Sequence, residues 1–587
     1  MKKTIGILLA LILALTMLPS AAFAEGEITG FDGLKAAAGT AGEYTLGADI
    51  AVSETLEISA DVTINGGGKT LTYAEGFTGS VFKVNNGGKL TLKNVVIDGG
   101  YTDWSVNTDN NTITFVAGSG TPKSAAPVTN ANGIVVLSGI TITNLVRDMS
   151  NKEINSALLE TKYSGSATLT DIRMENCYGG GGLLVSAEQG ANVTINGNSE
   201  VSNSSAIKNG AFIRCVGGIQ ITIDGLKVHD NNFSNNGLVM AGYGKNTVKF
   251  ENSEFKNNTH YGNSLGGIFC AFTQDYNSSN NNTVSITNTA ITDNQTQGNG
   301  SGSLVISTTS KTNLTIEKGC NISGNGGSIF VSEDGILTID KGATIEEDVR
   351  ISKRGQLINN GTINGSAIVG HYDNWDNPCP GSAYVTNNGT ITGGLTIRAK
   401  WTSPGSTSSG NVKGTTTFTT TTDENTGKTS NLTITGGYYG NSIEEITPYL
   451  ADGLRAIPSD NPEYICMVVP ASMVRVSFDV NGGDALVPSF TYTDGQGVLS
   501  QLPAATRANY RFNGWYTAPM GGTRIVEGSI FTADTTVFAQ WTYIGSGSSG
   551  DDYPIFTTPA PAPAPIGLPT TGDMTIFEMI LSWLGLL

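Results

Sequence analysis

A short phrase returns along residues 44–440: an alternating apolar strand, a turn of Asn, Asp or Gly, a second short strand, then Asn or Gly again. It reads LTLKNVVIDGG from Leu90, ATLTDIRMENC from Ala167, ITIDGLKVHDNN from Ile221 and VSITNTAITDN from Val284. Taking the apolar residue of each second strand as an anchor gives Ile97, Ile142, Met174, Val201, Val228, Phe255, Ile291, Ile322, Ile345, Ile363 and Ile391. The steps between them are 45, 32, 27, 27, 27, 36, 31, 23, 18 and 28 residues. A repeat of this size with no helical period implies a solenoid of β-coils, because one coil cannot bury its apolar side alone and must stack on its neighbours. The unequal steps exclude leucine-rich and propeller repeats and fit a parallel β-helix, whose turns absorb insertions. The composition agrees: 76 of 587 residues are Gly and only 14% are charged, as expected of many short strands joined by turns. Asn144, Asn176, Asn203 and Asn257, with Asp230 and Asp293, all fall two residues after an anchor. These residue types tolerate the left-handed backbone of a sharp turn, and stacked amides can bond along the coil axis.

The two ends assign a compartment. Residues 1–24 read as a secretory signal peptide: Lys2 and Lys3, an apolar stretch Ile5–Leu18, and Ala22-Phe23-Ala24 as the cleavage site, with Ala24 the last residue removed. Its loss takes the net charge from −17 to −19, two lysines being removed. Near the other end stands Leu568-Pro569-Thr570-Thr571-Gly572, which resembles the sorting signal of Gram-positive surface proteins. The resemblance implies that sortase cleaves after Thr571 and joins it to peptidoglycan. Residues 543–567, Gly/Ser-rich and then Pro/Ala-rich, read as an extended spacer. Met574–Leu587 is apolar but too short as a helix to cross a ~30 Å bilayer core, so no stable transmembrane span is expected. The family's signals end in a basic tail; the sequence ends at Leu587 without one, which leads us to expect partial release from the wall.

The body resembles the right-handed, pectate-lyase-like β-helices of bacterial surface proteins. FENSEFKNNTHYGNSLGGIF from Phe250 also resembles polymorphic outer-membrane-type repeats. Phe31-DGLKAAA has a short helical pattern that would cap the first coils, the loop at about 100–132 (with Tyr101 and Trp104) and residues 401–430 read as lateral insertions, and 435–470 as a closing segment with helical spacing over Ile443–Leu454. Residues 473–542 change character: VSFDVNGG from Val476, YRFNGWYT from Tyr510 and VFAQW from Val537 follow in order. This stretch resembles the Listeria–Bacteroides (internalin B-type) repeat, which implies a small β-grasp-like fold with Phe512, Trp515, Tyr516 and Trp541 as core.

Function is less legible. A pI of about 4.7 disfavours nucleic acid as a partner. The six cysteines lie 38 to 87 residues apart and form no zinc or disulfide pattern, so buried free thiols are expected. Hydrolases and lyases on β-helices need clustered Asp with His, Arg or Lys partners, and no such cluster is found. His229, His260 and His371 fit no metal-ligand spacing. One pattern stands out. Arg173, Glu200, Lys227 and Glu254 are 27 residues apart, each just before its anchor, and should face outward as an alternating charge stack beside Glu175, Ser202, His229 and Lys256. An exposed ion-pair ladder is the plain reading; a polar ligand face comprising Arg173, Glu200, Lys227, Glu254 and His229 is the functional one.

The expected architecture is therefore all-β: signal peptide 1–24, right-handed parallel β-helix 25–472, repeat module 473–542, spacer 543–567 and an incomplete sorting signal 568–587. The expected function is that of a secreted, wall-associated adhesin or display stalk. Its expected partners are peptidoglycan and an extracellular glycan or protein, with no cofactor, metal or assigned catalytic residue. A carbohydrate-active enzyme and a purely structural envelope protein are the alternatives.

Overall fold

The structure, a computed structural model, describes residues 24–545 except 110–111, 150–155, 208–211, 235–236, 243, 262–268, 271–281, 298–303, 309–310, 353, 371–382, 399–405, 415, 420–431 and 487. The chain divides into two units, 1–433 and 434–587.

The first unit is a right-handed parallel β-helix of three faces. One coil shows the plan: Ser166–Thr170 on the first face, Arg173–Glu175 on the second, Val185–Glu188 on the third, then Asn192–Asn196 back on the first. Ser166–Thr170 and Asn192–Asn196 pair in parallel, one coil apart. All the anchors stand in one register column on the second face, from Ile97 opposite Ile142 to Ile363 opposite Ile391. Each is buried, and each such side chain gains roughly 1.5–3 kcal/mol from leaving water. The column begins earlier than the repeat phrase suggested, with Ile50 opposite Leu71 and Leu71 opposite Ile97. A short extra sheet runs through five coils, from Tyr178–Gly179 to Gln295–Gln297.

The turns follow the expected chemistry. Asn144, Asn176, Asn203, Asp230, Asn257 and Asp293 all have φ between 48° and 57°. That conformation costs an ordinary L residue about 1–2 kcal/mol, and the short polar side chain relieves part of it by local hydrogen bonding. Asn176 donates to Asn144 at 2.6 Å, and Asn144 to Asp98 at 3.2 Å, so part of this column does bond along the axis.

A helix forms at Phe31–Ala38, between the strands Ala24–Ile28 and Gly42–Leu46, and buries Leu34, Ala37 and Ala38. The 100–132 loop carries an antiparallel hairpin, Ser105–Asn107 with Thr114–Val116. Tyr101, Trp104 and Phe115 gather there on Tyr178 of a later coil. Residues 401–430 need correction. Ser406–Ser408, Asn411–Val412 and Thr416–Thr419 pair in parallel with the preceding coil on all three faces, so 406–419 is a further coil and not a lateral insertion. Its Thr/Ser/Gly composition hid it, because buried Ser406 and Ser408 stand where other coils place apolar residues.

In the second unit, Gly437–Tyr439, Cys466–Pro470 and Leu454–Pro458 form an antiparallel set. The helix expected over Ile443–Leu454 is only Ile443–Ile446, followed by a 3-10 turn Thr447–Tyr449. Ser442 and Glu445 close its start with reciprocal bonds, while Pro448 removes a backbone donor and stops propagation. The module after it is a five-stranded mixed sheet in which Arg475–Asp479 runs parallel to Thr535–Tyr543, with Phe490–Tyr492, Tyr510–Tyr516 and Arg524–Ile525 antiparallel to their neighbours. Its core is Val476, Phe478, Leu499, Ala505, Trp515, Ile525, Val537 and Ala539, with Phe512 and Trp541 packed against it. Tyr516 is a correction: it alternates to the other side of its strand and lies outside that core.

Candidate functional site

The second face presents the outward strip that the 27-residue spacing implied. Arg173 registers with Glu200, Glu200 with Lys227 and Lys227 with Glu254, so the four stand one above another on consecutive coils. Beside them Glu175, Ser202, His229 and Lys256 form a second column in the same register. The pairing within the strip differs from a simple alternating stack. Arg173 bonds Glu175 on its own strand at 2.9 Å. Glu200 takes His229 diagonally, Nε2 to Oε1 at 3.1 Å, and His229 Nδ1 meets Asp230 at 2.7 Å. Lys256 reaches Asp293 at 3.9 Å. Among the described residues, Lys227 and Glu254 form no ion pair, because each outward neighbour prefers a partner its side chain can reach with less stretching. The strip is therefore a set of separate exposed pairs, each worth about 0–1 kcal/mol. Chemically it offers an imidazole held between two carboxylates and two cations open to solvent, all on one flat face.

The structure also holds a polar column that the repeat reading missed. One residue beyond the left-handed turn, Asn231, Asn258, Asn294 and Asn325 are buried and stacked. Each of the first three donates its Nδ2 to the next Oδ1 at 2.8–2.9 Å, and its backbone N–H to the same oxygen at 3.0–3.2 Å. The Nδ2 groups also donate to the carbonyls of Val201, Val228, Phe255 and Ile291. Ser204 continues the column upward to the Cys177 N–H, and Glu347 ends it by accepting from the Asn325 N–H at 2.8 Å. Burial raises the Glu347 carboxyl above its ordinary range. The readable signal was Asn at a fixed offset of three from the anchors Val228, Phe255, Ile291 and Ile322. Buried amides are fully bonded only when stacked, so the column rewards correct coil register.

The cysteines that can be seen are inert. Cys177, Cys215, Cys320 and Cys466 are free and buried. Burial pushes Cys177 and Cys215 up to about 12 and Cys466 to about 11. No group of His, Cys, Asp and Glu able to hold a metal ion is present among the described residues. Ala24 opens the first strand, opposite Gly42. Leu568, Pro569, Thr570, Thr571 and Gly572 lie outside the described residues. Among the described residues no helix is long and apolar enough to cross a membrane.

Residues 475–540 match the Listeria-Bacteroides repeat domain, a span running from the first residue of the Arg475–Asp479 strand into the Thr535–Tyr543 strand. Such domains are typical of bacterial surface proteins. Comparison with the curated proteins and with the solved structures finds no match.

Proposed function

We propose that this is a secreted, wall-associated surface protein of a Gram-positive bacterium, an adhesin or display stalk whose β-helix presents a glycan or protein ligand. The observation that carries it is the surface-type repeat at 475–540, followed in sequence by a Pro/Ala spacer and Leu568–Gly572. The flat strip Arg173–Glu200–Lys227–Glu254 with His229 is the candidate ligand face. It has charge and hydrogen-bonding groups in a regular array and no cleft to enclose a reacting bond.

The test combines cell fractionation with a glycan array on the secreted chain. The expected results are a muramidase-released fraction that shifts to the medium in Thr571→Ala, and array binding lost in Lys227→Ala without loss of stability. A wild type never found in the muramidase fraction would rule out covalent anchoring. Polysaccharide cleavage that disappears in Lys227→Ala would replace the binder with an enzyme.

A further inference from the structure

A second polar cluster lies at the turn between the second and third faces in the early coils, far in sequence from the outward strip. Arg147 and Lys123 are both buried, 2% and 4% exposed, and form a parallel bridge on adjacent coils. Tyr73 comes from an earlier coil, where it registers with the buried Val52. The Lys123 ammonium sits 4.4 Å over the Tyr73 ring.

The cluster is short of acceptors. Arg147 gives Nη1 to the Ser156 carbonyl at 2.6 Å, and Nη2 to the Ser124 carbonyl at 3.5 Å and Glu160 at 3.4 Å. Its Nε is buried with no hydrogen-bond partner, and so is the Tyr73 hydroxyl. Lys123 forms no ion pair among the described residues; the nearest opposing charge it feels is Asp98. Asp98 is already engaged by the Gly100 N–H and the Asn144 amide. Two buried cations thus share one contacting carboxylate, Glu160, itself partly open to solvent. An uncompensated buried charge and unpaired buried donors are each costly, and one species answers both deficits: an acceptor carrying negative charge.

We infer that Tyr73, Lys123 and Arg147 form a binding site for one small inorganic anion, of chloride to sulfate size, which ties three successive coils together. The ring face of Tyr73 and the Lys123 stem close the site against larger groups. The hydroxyl of Tyr73, Nε of Arg147 and the ammonium of Lys123 supply the donors.

The experiment is thermal unfolding of the full secreted chain in chloride, sulfate and phosphate series at constant ionic strength, balanced with gluconate, which is too bulky to enter. Tm should rise by about 2–4 °C for each tenfold increase of the accepted anion above its dissociation constant. Chloride alone, or the two oxyanions alone, identifies the source. Lys123→Met keeps the stem and removes the charge, so its Tm should not respond. Tyr73→Phe removes one donor and keeps the ring, so it should respond with weaker affinity and serves if Lys123→Met does not fold. A wild-type Tm equal in all three series and in gluconate overturns the site. So does an equal response in wild type and both variants, which would be a general salt effect.

Discussion

A core position in the β-helix is one member of a column; a core position in the 473–545 module stands alone. Phe255 lies between Val228 and Ile291, and each would serve nearly as well in the other's place. Trp515 has no equivalent. It packs on Phe478 at 4.8 Å and Phe512 at 5.5 Å, and its indole N–H donates to the Pro503 carbonyl at 2.7 Å. Stacking spreads stability over many similar contacts, while a small closed sheet concentrates it in one large side chain. That is why the coils tolerate steps from 18 to 45 residues, whereas the module keeps its aromatic order.

The sharpest test of this contrast is Trp515→Ala, which should cost the module about 3–5 kcal/mol, read as a lost transition in denaturant unfolding. A cost no larger than for Phe255→Ala would erase the distinction. Next comes Asn258→Ala, which removes bonds to Asn231, Asn294 and the Val228 carbonyl. About 3 kcal/mol is expected, since buried partners are left unpaired. If the column acts as a unit, Asn231→Ala with Asn258→Ala costs less than the sum of the singles; strict additivity would show that each amide acts alone.

A smaller effect depends on pH. The folded-state pKa of Glu347 is raised by burial. The folded chain then holds this proton at pH values where the unfolded chain has lost it, so stability falls as pH rises through the window above the ordinary carboxylate pKa. Glu347→Gln keeps an acceptor for Asn325 and should flatten that slope, as followed by melting from pH 4 to 8; an unchanged slope would place its origin elsewhere. The smallest effect belongs to the outward strip. Lys227→Ala should change stability by less than ~1 kcal/mol. Lys227→Glu should cost more, because it would stand between Glu200 and Glu254, and high salt should shrink that penalty. A larger loss in Lys227→Ala would mean that the strip is structural after all.

What could be read from the sequence follows from the same contrast. A periodic chain displays its register openly, so the anchors and the left-handed Asn positions were legible to the residue. The Asn231–Asn325 column was one position away and stayed hidden, because the same residue type serves exposed turns and buried ladders and only burial separates them. The coil at 406–419 was missed because its interior is Ser and Thr, and polarity reads as surface. The pairing of His229 with Glu200 and Asp230 depends on side-chain reach, which spacing does not encode. Tyr73, Lys123 and Arg147 come from segments outside the repeat phrase, so no period brings them together on the page.

The parallel pairing of the coils has a mechanical consequence. Backbone bonds between neighbouring strands run across the strands, from one coil to the next, so a load that draws the coils apart is carried by a few bonds at a time. Arg173 and Glu200 mark one complete turn of 27 residues, which extends to roughly 90 Å at ~3.4 Å per residue. A chain tethered at one end and pulled at the other would release slack turn by turn at modest force, and the buried amide column would set the height of each step.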